Sequence, residues 1–356
     1  MIIEKVVLNN FRNYNSLEID LNENINIIYG NNAQGKTNII ESIFLCSYGK
    51  SFRTKKEKEL IKFGEEKADV EIFYKRTDRQ GKIKAEIEEK KAFFVNDIKQ
   101  SKVSDIVGKI NIIIFTPDDI DIIKDGPERR RKFLDMMISS LRPKYIHLLN
   151  SYNNCLEQRN NYLKQIKYEN KKENMLDIWD EQLSEIAVQI YEYRNIFIEK
   201  YKEKIKDIHK IITKSGEEDI KIIYNYNGRK KEEFLEKLKK NREIDIARGF
   251  TSTGIHRDDF TIYINEKPVS IYGSQGQQRT TVLTLKLCEL EIVKEEIGEN
   301  PILLLDDFMS ELDQKRRKSL LENIQGNQVI ITCTDKIELA KETSYFLIEN
   351  GKCINR

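Results

Sequence analysis

The sequence predicts an α/β fold interrupted by a helical insertion, and three stretches carry that prediction. Residues Gly30 to Thr37 read G-x-x-x-x-G-K-T between a short apolar run and a helical pattern. Pro301 to Asp307 form an apolar run of strand length that ends in two carboxylates. Between these two, from about residue 127 to about residue 240, the apolar spacing shifts to steps of three and four, the period of a helix.

In chain order, the first 115 or so residues read as strands, with short alternating runs that suggest antiparallel hairpins. Val70-Glu71-Ile72-Phe73-Tyr74 and Lys82-Ile83-Lys84-Ala85-Glu86-Ile87 are two such runs. Ile25, Ile27 and Ile28 mark a buried strand, and Asn38 to Leu45 have helical spacing. The turn joining them is Gly30-Asn31-Asn32-Ala33-Gln34-Gly35-Lys36-Thr37-Asn38. Its glycines let the backbone curl so that successive N–H groups face phosphate oxygens, and the next helix adds its positive end. Lys36 is then placed for the terminal phosphates and the Thr37 hydroxyl for Mg²⁺.

Further along, Tyr145, Leu148, Tyr152, Leu156, Leu163 and Ile166 form one apolar stripe. Leu176, Trp179, Leu183, Ile186, Ile190, Tyr193 and Phe197 begin a second, which continues through Tyr201, Ile205, Ile208 and Ile212. The second helix would span on the order of 55 Å. With the polar stretch 167–174 as connector, the two stripes predict an antiparallel pair. The expected division is a discontinuous nucleotide-binding domain of residues 1–120 and 243–356, with a helical domain of residues 121–242 inserted into it.

Ser274-Gln275-Gly276-Gln277-Gln278 opens a helix whose apolar face includes Val282, Leu285, Leu290 and Val293, and that helix leads into the acidic strand. A Ser hydroxyl, a glycine backbone and a helix N-terminus together suit a phosphate. An S-x-G-Q turn in this order resembles the signature of ABC-type ATPases, so Pro301–Asp307 reads as a Walker B segment. Asp306 is the candidate Mg²⁺ ligand. Asp307 is a candidate base that orients the attacking water, or else a helper of Asp306 in ordering the metal. Ser310-Glu311-Leu312-Asp313 stands where that family has its D-loop, and Thr334 stands where transporter ATPases carry a switch histidine. The family's metal-sensing glutamine has no clear counterpart; Phe115–Asp119 is the best location for it.

Several blocks together resemble the RecF family, which is related to the SMC proteins. They are Leu8-Asn9-Asn10-Phe11-Arg12-Asn13-Tyr14, the G-N-N-A-Q-G-K-T-N loop, Lys50-Ser51-Phe52-Arg53-Thr54 and Phe115-Thr116-Pro117-Asp118-Asp119. Gly126-Pro127 leading into Arg129-Arg130-Arg131, Gly254-Ile255-His256-Arg257-Asp258-Asp259, S-x-G-Q-Q-R and L-L-L-D-D-x-x-S-E-L-D complete the set. The likeness runs from Met1 to about Thr334. It departs at Ile255, where proline is expected. The resemblance implies an ABC-type head, ATP with Mg²⁺, and an ATP-dependent homodimer in which Ser274, Gly276 and Gln277 of one copy cap the ATP held by Lys36 and Thr37 of the other. It also implies slow hydrolysis, duplex DNA beside single-stranded gaps, and RecR, RecO and RecA as partners. Arg12 is a candidate for touching ATP or for anchoring the first strand.

Composition narrows the classes. The formal net charge is only +2, so attraction for nucleic acid must come from local patches. Arg53, Lys55 and Lys56 form one candidate, Arg129, Arg130 and Arg131 a second, and Lys230 and Lys231 a third. Each is equally a solvated face of a lysine-rich protein. No apolar run approaches the length of a membrane span, and the five cysteines lack metal-site spacing, so the expectation is a cytoplasmic protein with reduced thiols. An ATPase subunit of a transporter and a P-loop metabolic kinase are the alternatives. The first would couple to membrane helices, and the second needs a substrate pocket and no signature turn.

Overall fold

The computed structural model describes residues 1–169, 171–214, 216–337 and 342–354. The chain divides into two compact units, Met1–Ile120 with Arg279–Arg356, and Asp121–Gln278.

Among the described residues, the first unit holds two six-stranded sheets. One runs in the order Lys352–Cys353, Thr343–Glu349, Ile25–Tyr29, Val329–Cys333, Ile302–Asp306, Ile112–Phe115. All its pairings are parallel except that of the short edge strand Lys352–Cys353. Its central strands are apolar on both faces: Ile27, Ile28, Leu303, Leu304, Leu305, Ile330 and Ile331 are buried. That is the pattern of a parallel sheet covered on both sides. The second sheet is antiparallel, in the order Tyr14–Asp20, Ile2–Phe11, Ala68–Lys75, Gln80–Ile87, Lys91–Val95, Ile98–Lys99. Its strands alternate, with Val70, Ile72, Ile83 and Ala85 inward and lysines and glutamates outward. The helix Lys36–Tyr48 touches strands of both sheets and is buried almost all round. Its apolar residues Ile39, Ile40, Ile43, Phe44 and Leu45 therefore belong to a core, not a stripe.

In the second unit the helices Pro143–Glu169 and Leu176–Thr213 are the two predicted stripes. Their contacts run in opposite senses along the chain. Leu163 and Ile166 pack with Leu176 and Trp179, Arg159 binds Asp180, and Tyr145 meets Tyr193 edge-on. The pair is therefore antiparallel, and the 38-residue helix is about 57 Å long. The wholly buried Arg159 reaches Asp180 at 2.7 Å and Asp245 at 2.8 Å, clamping both helices to the short helix Arg242–Arg248.

Two expectations are corrected here. The stretch from Pro127 to Lys240 is not helical throughout: Ile220–Asn225 is a strand, paired antiparallel with Asp259–Ile264. Its alternation, with Ile220, Ile222 and Tyr224 buried, has the period of two that a strand requires. The second unit boundary also falls at Gln278/Arg279 rather than at 242/243. Residues 243–278 supply Asp245 to the Arg159 clamp and the partner strand to Ile220–Asn225, so they fold with the insertion. Among the described residues, no helix is long and apolar enough to cross a membrane. The five cysteines are free thiols, four of them buried.

The Gly254–Asp259 block is the polar centre of this unit. Asp258 accepts from Tyr224 Oη and from Asn227, both at 2.8 Å, and the Asp259 carboxylate takes both Nε and Nη2 of Arg130. The Ile255 carbonyl accepts from Arg194, which also grips Asp135 through two nitrogens. Burial lifts the Asp258 carboxyl above its ordinary range, against the pull of Arg194. His256 lies between Tyr152 Oη at 2.8 Å from Nδ1 and the Thr251 carbonyl at 3.1 Å from Nε2. A carbonyl only accepts, so Nε2 carries the proton and Nδ1 accepts from the tyrosine.

Burial holds the His256 imidazole down to about 4. The unfolded chain, with histidine near 6.5, takes up this proton first. The resulting loss of stability is absent above pH 6.5 and grows as the pH falls toward 4, reaching about 3 kcal/mol. Urea midpoints of the unmodified chain should fall more steeply between pH 7 and pH 4.5 than those of His256→Gln, which has no titrating group there. Equal slopes would show that His256 does not set the acid limb.

Candidate nucleotide site

The loop between strand Ile25–Tyr29 and helix Lys36–Tyr48 is shaped by close approach. Gly30 has φ +146°, and a Cβ there would lie 2.4 Å from the Ile348 carbonyl oxygen. Gly35 has φ +112°, and its Cβ would meet the Asn13 amide and the Tyr14 hydroxyl within 2.8 Å. No side chain fits either place, so the two glycines of the motif are steric requirements. Asn13 Nδ2 donates to the Gln34 carbonyl at 2.8 Å, Tyr14 Oη donates to that of Gly35 at 3.0 Å, and the Gln34 side chain accepts from Asn350 N at 2.6 Å. Lys36 is buried, and its ammonium donates to the carbonyls of Gly30 at 2.8 Å and Asn31 at 2.9 Å, which holds it against the loop. The helix it opens has no acidic residue in its first turn, so the positive end of the helix faces the loop uncompensated.

Thr37 and Asp306, far apart in sequence, meet beside this loop. Thr37 Oγ1 and Thr332 Oγ1 each donate to Asp306 Oδ1 at 2.8 Å. Burial pushes the Asp306 carboxyl above its ordinary value, while these two hydroxyls pull it back toward the ionised form. The next residue, Asp307, has φ +48°. Its N–H donates to Thr332 Oγ1 at 2.9 Å, and its carbonyl accepts from Ser310 Oγ at 2.6 Å. The left-handed turn takes the chain off the sheet at the point where the second carboxylate stands, half-buried beside the first.

Arg12 reaches Glu41, on the helix Lys36–Tyr48, through Nε at 2.9 Å and Nη2 at 2.6 Å, and its Nη1 reaches the Glu59 carbonyl. Arg53 reaches Asn38 Oδ1 at 2.7 Å and Glu41 at 3.5 Å. Ser51 Oγ donates to Glu41 Oε1 at 2.5 Å. Two arginines thus converge on one wholly buried glutamate of the loop helix. Glu41 is the residue missed from sequence. Its one signal is that it is the single acidic residue of that helix, four residues after Thr37.

The signature turn lies in the second unit. Ser274 N donates to Gln277 Oε1 at 2.9 Å, and Gln277 N donates to Ser274 Oγ at 3.2 Å. This reciprocal capping box opens the helix Gln275–Ile297, with Gly276 in its first turn. Thr334 is exposed and donates to Asp335. Phe115 ends the strand that pairs in parallel with Ile302–Asp306, and in the turn that follows Asp119 accepts from Thr116 N.

The basic groups separate into paired and outward ones. Arg130 is bound to Asp259 and to the Asp125 carbonyl, and Arg131 donates to the Asp258 carbonyl. Arg129 is exposed, at 3.5 Å and 3.7 Å from two aspartates. Lys231 binds Glu181 at 2.5 Å, whereas Lys230 and Lys55 are exposed and Lys56 lies 3.4 Å from Glu59.

Comparison with known proteins places this geometry. The RecF/RecN/SMC N terminal domain family matches residues 2–352. The chain belongs to the RecF family. The DNA replication and repair protein RecF of Clostridium acetobutylicum is 44% identical over 99% of both chains. That of Clostridium botulinum is 46% identical over the same share. A solved structure of the recombination mediator protein RecF with ATP, in the RecFOR pathway, superimposes with a TM-score of 0.92 at 40% identity and covers 99% of this chain and 97% of its own. An Smc head bound to the C-winged helix domain of ScpA, at 16% identity and a TM-score of 0.60, shares the fold. The RecF family fold is thus an ABC-type ATPase head carrying a helical insertion, and ATP binding goes with it.

The split between paired and outward arginines is testable. Arg130→Ala should lower unfolding stability by about 2 kcal/mol, because it leaves Asp259 without its bidentate partner. Arg129→Ala should change stability by less than about 0.5 kcal/mol. Urea denaturation of both variants decides it, and equal losses would contradict the assignment.

Proposed function

We propose that this chain is an ATP-dependent, dimerising DNA clamp of the RecF type, acting in the cytoplasm in DNA replication and recombinational repair. The observation that carries it is the junction of Thr37 and Asp306 beside the Lys36 loop. The full-length likeness to named RecF proteins supports the DNA role. Duplex DNA at single-strand junctions, and RecR, RecO and RecA, are the partners that the family suggests.

The donor set fits Mg²⁺. A hydroxyl and a carboxylate, both hard oxygens, converge at 2.8 Å next to a phosphate loop. Thr37 and Asp306 would hold the ion, which supplies neutralisation of the phosphate charge. Asp307 then holds the attacking water in line and accepts its proton as the new P–O bond forms and ADP leaves. Lys36, drawn from the Gly30 and Asn31 carbonyls, and the loop N–H groups stabilise the charge on the terminal phosphate. Ser274 and Gly276 of a second copy close the site from the other side, so binding joins two chains and hydrolysis releases them.

Solution mass with and without Mg·ATP tests this. The unmodified chain should pass from monomer to dimer, and Lys36→Ala should remain a monomer. Asp307→Asn should bind ATP normally, hydrolyse it at least about 100-fold more slowly and dimerise for longer. Asp306→Asn should weaken Mg²⁺ dependence itself. A Lys36→Ala variant that dimerises with ATP would sink the proposal.

DNA binding should be independent of sequence and steeply salt-dependent. Replacing Arg129 and Lys230, or Lys55 and Lys56, with alanine should lower the log–log salt slope by about one unit for each phosphate that is no longer neutralised. Unchanged slopes in both variants would move the DNA surface elsewhere.

A further inference from the structure

The signature turn has a support that the mechanism above does not use. Gln277 closes the capping box with Ser274 through its side-chain oxygen, and its amide nitrogen donates to Glu218 Oε1 at 2.9 Å. The other Glu218 oxygen, Oε2, lies 2.9 Å from Nε2 of His209. His209 is wholly buried near the C-terminal end of the 38-residue helix Leu176–Thr213. Glu218 itself precedes the strand Ile220–Asn225. It is followed by Asp219, which exchanges hydrogen bonds with Asn265: Asp219 N to Asn265 Oδ1 at 2.8 Å, and Asn265 N to the Asp219 carbonyl at 2.9 Å. The carboxylate is thus placed by the long helix on one side and by the small sheet on the other.

The chemistry of the two partners makes this more than a tether. A side-chain amide has a donor end and an acceptor end, and the capping box works only when the acceptor faces Ser274 N. An ionised carboxylate can only accept. By taking the NH₂ end, Glu218 forces the carbonyl oxygen of Gln277 toward Ser274 and excludes the flipped amide. His209 holds the carboxylate for that task. We propose that Glu218, backed by His209, is the positioning residue of the signature turn: it fixes the orientation of Gln277 and so the presentation of Ser274 and Gly276 to a second copy. The signature's geometry then depends on the end of the long helix, which ties the insertion to nucleotide closure. This rests on the reading that the signature caps ATP held by another chain.

The test uses the full chain with Glu218→Ala, Glu218→Gln and Glu218→Lys. Glutamine keeps an acceptor for Gln277, whereas lysine presents a donor and turns the amide the wrong way round. ATP affinity of the monomer should stay within about twofold in all three, because the phosphate loop lies in the other compact unit. ATP-driven dimerisation and kcat should fall at least about tenfold in Glu218→Ala, further in Glu218→Lys, and recover most of the way in Glu218→Gln. Hydrogen exchange at the amides of Gln277 and Gln278, measured without nucleotide, should speed up in the same order.

Dimerisation, turnover and exchange unchanged in Glu218→Ala would overturn the proposal. So would Glu218→Gln failing as badly as Glu218→Ala, with an equal loss of melting temperature, because that pattern belongs to general support of the fold. If the unmodified chain does not dimerise with ATP, the clamp reading has failed on its own. The exchange ranking then still decides whether Glu218 orders the turn.

Discussion

The nucleotide-binding unit depends on one oxygen atom. Asp306 Oδ1 accepts from Thr37 at the start of the loop helix and from Thr332 on the strand lying between the loop strand and the acidic strand. Three segments brought together from both ends of the chain are registered at that point. In water the bonds would be worth little. In the buried end of a parallel sheet, a charged acceptor with two hydroxyl donors is strong, and losing either donor exposes a desolvated carboxylate. Thr332 also accepts from the N–H of Asp307, so the same atom group aims the second carboxylate. On the proposed reading, metal ligand and base are therefore set by one local network, and that would let two adjacent aspartates take different roles.

The insertion solves a different problem with similar means. Its long helices present charged groups to each other, and the charges are matched inside the unit rather than left to solvent. Arg159, Arg194 and Arg242 each grip aspartates across helices. Such buried pairs contribute little net stability against an apolar alternative, but each is costly to break, so they favour one packing of the helices over others. The Gly254–Asp259 block belongs to this network. Ile255 stands where the resemblance leads one to expect proline, and this costs the network nothing visible: the residue is buried and its carbonyl still receives Arg194.

Much of this was legible in the sequence where geometry leaves few options. Gly30 and Gly35 admit no side chain, Lys36 and Thr37 follow at fixed spacing, and the strand–loop–helix order around them is the observed one. The two long apolar stripes also specify their helices and the antiparallel sense. The strand Ile220–Asn225 was missed because six alternating residues after a 38-residue helix carry too short a period to outweigh it. Residues 243–278 were placed with the head because nothing local announces that Asp245 pairs with Arg159, 86 positions earlier. Glu218 is invisible in the sequence for the same reason, and Glu41 nearly so: their partners are supplied only by folding.

The basic clusters show the limit most clearly, and they bear on how such a chain can hold DNA. Arg129, Arg130 and Arg131 look alike in sequence, yet two of the three are committed to Asp259 and to the Asp258 carbonyl. A guanidinium fork suits fixed carboxylates inside a fold, whereas an ammonium on a flexible stem stays hydrated at the surface. The exposed cations that remain, such as Lys55 and Lys230, are scattered on a chain of net charge +2. A single copy therefore offers a phosphate backbone contacts that neighbouring carboxylates offset and salt easily screens. Two copies held together present twice that set at a fixed spacing, and the second set binds at high effective concentration once the first has engaged. On the clamp reading, ATP governs DNA affinity by setting the number of subunits, with no need for any basic residue to move. The weak charge of the monomer is then what makes the nucleotide an effective control.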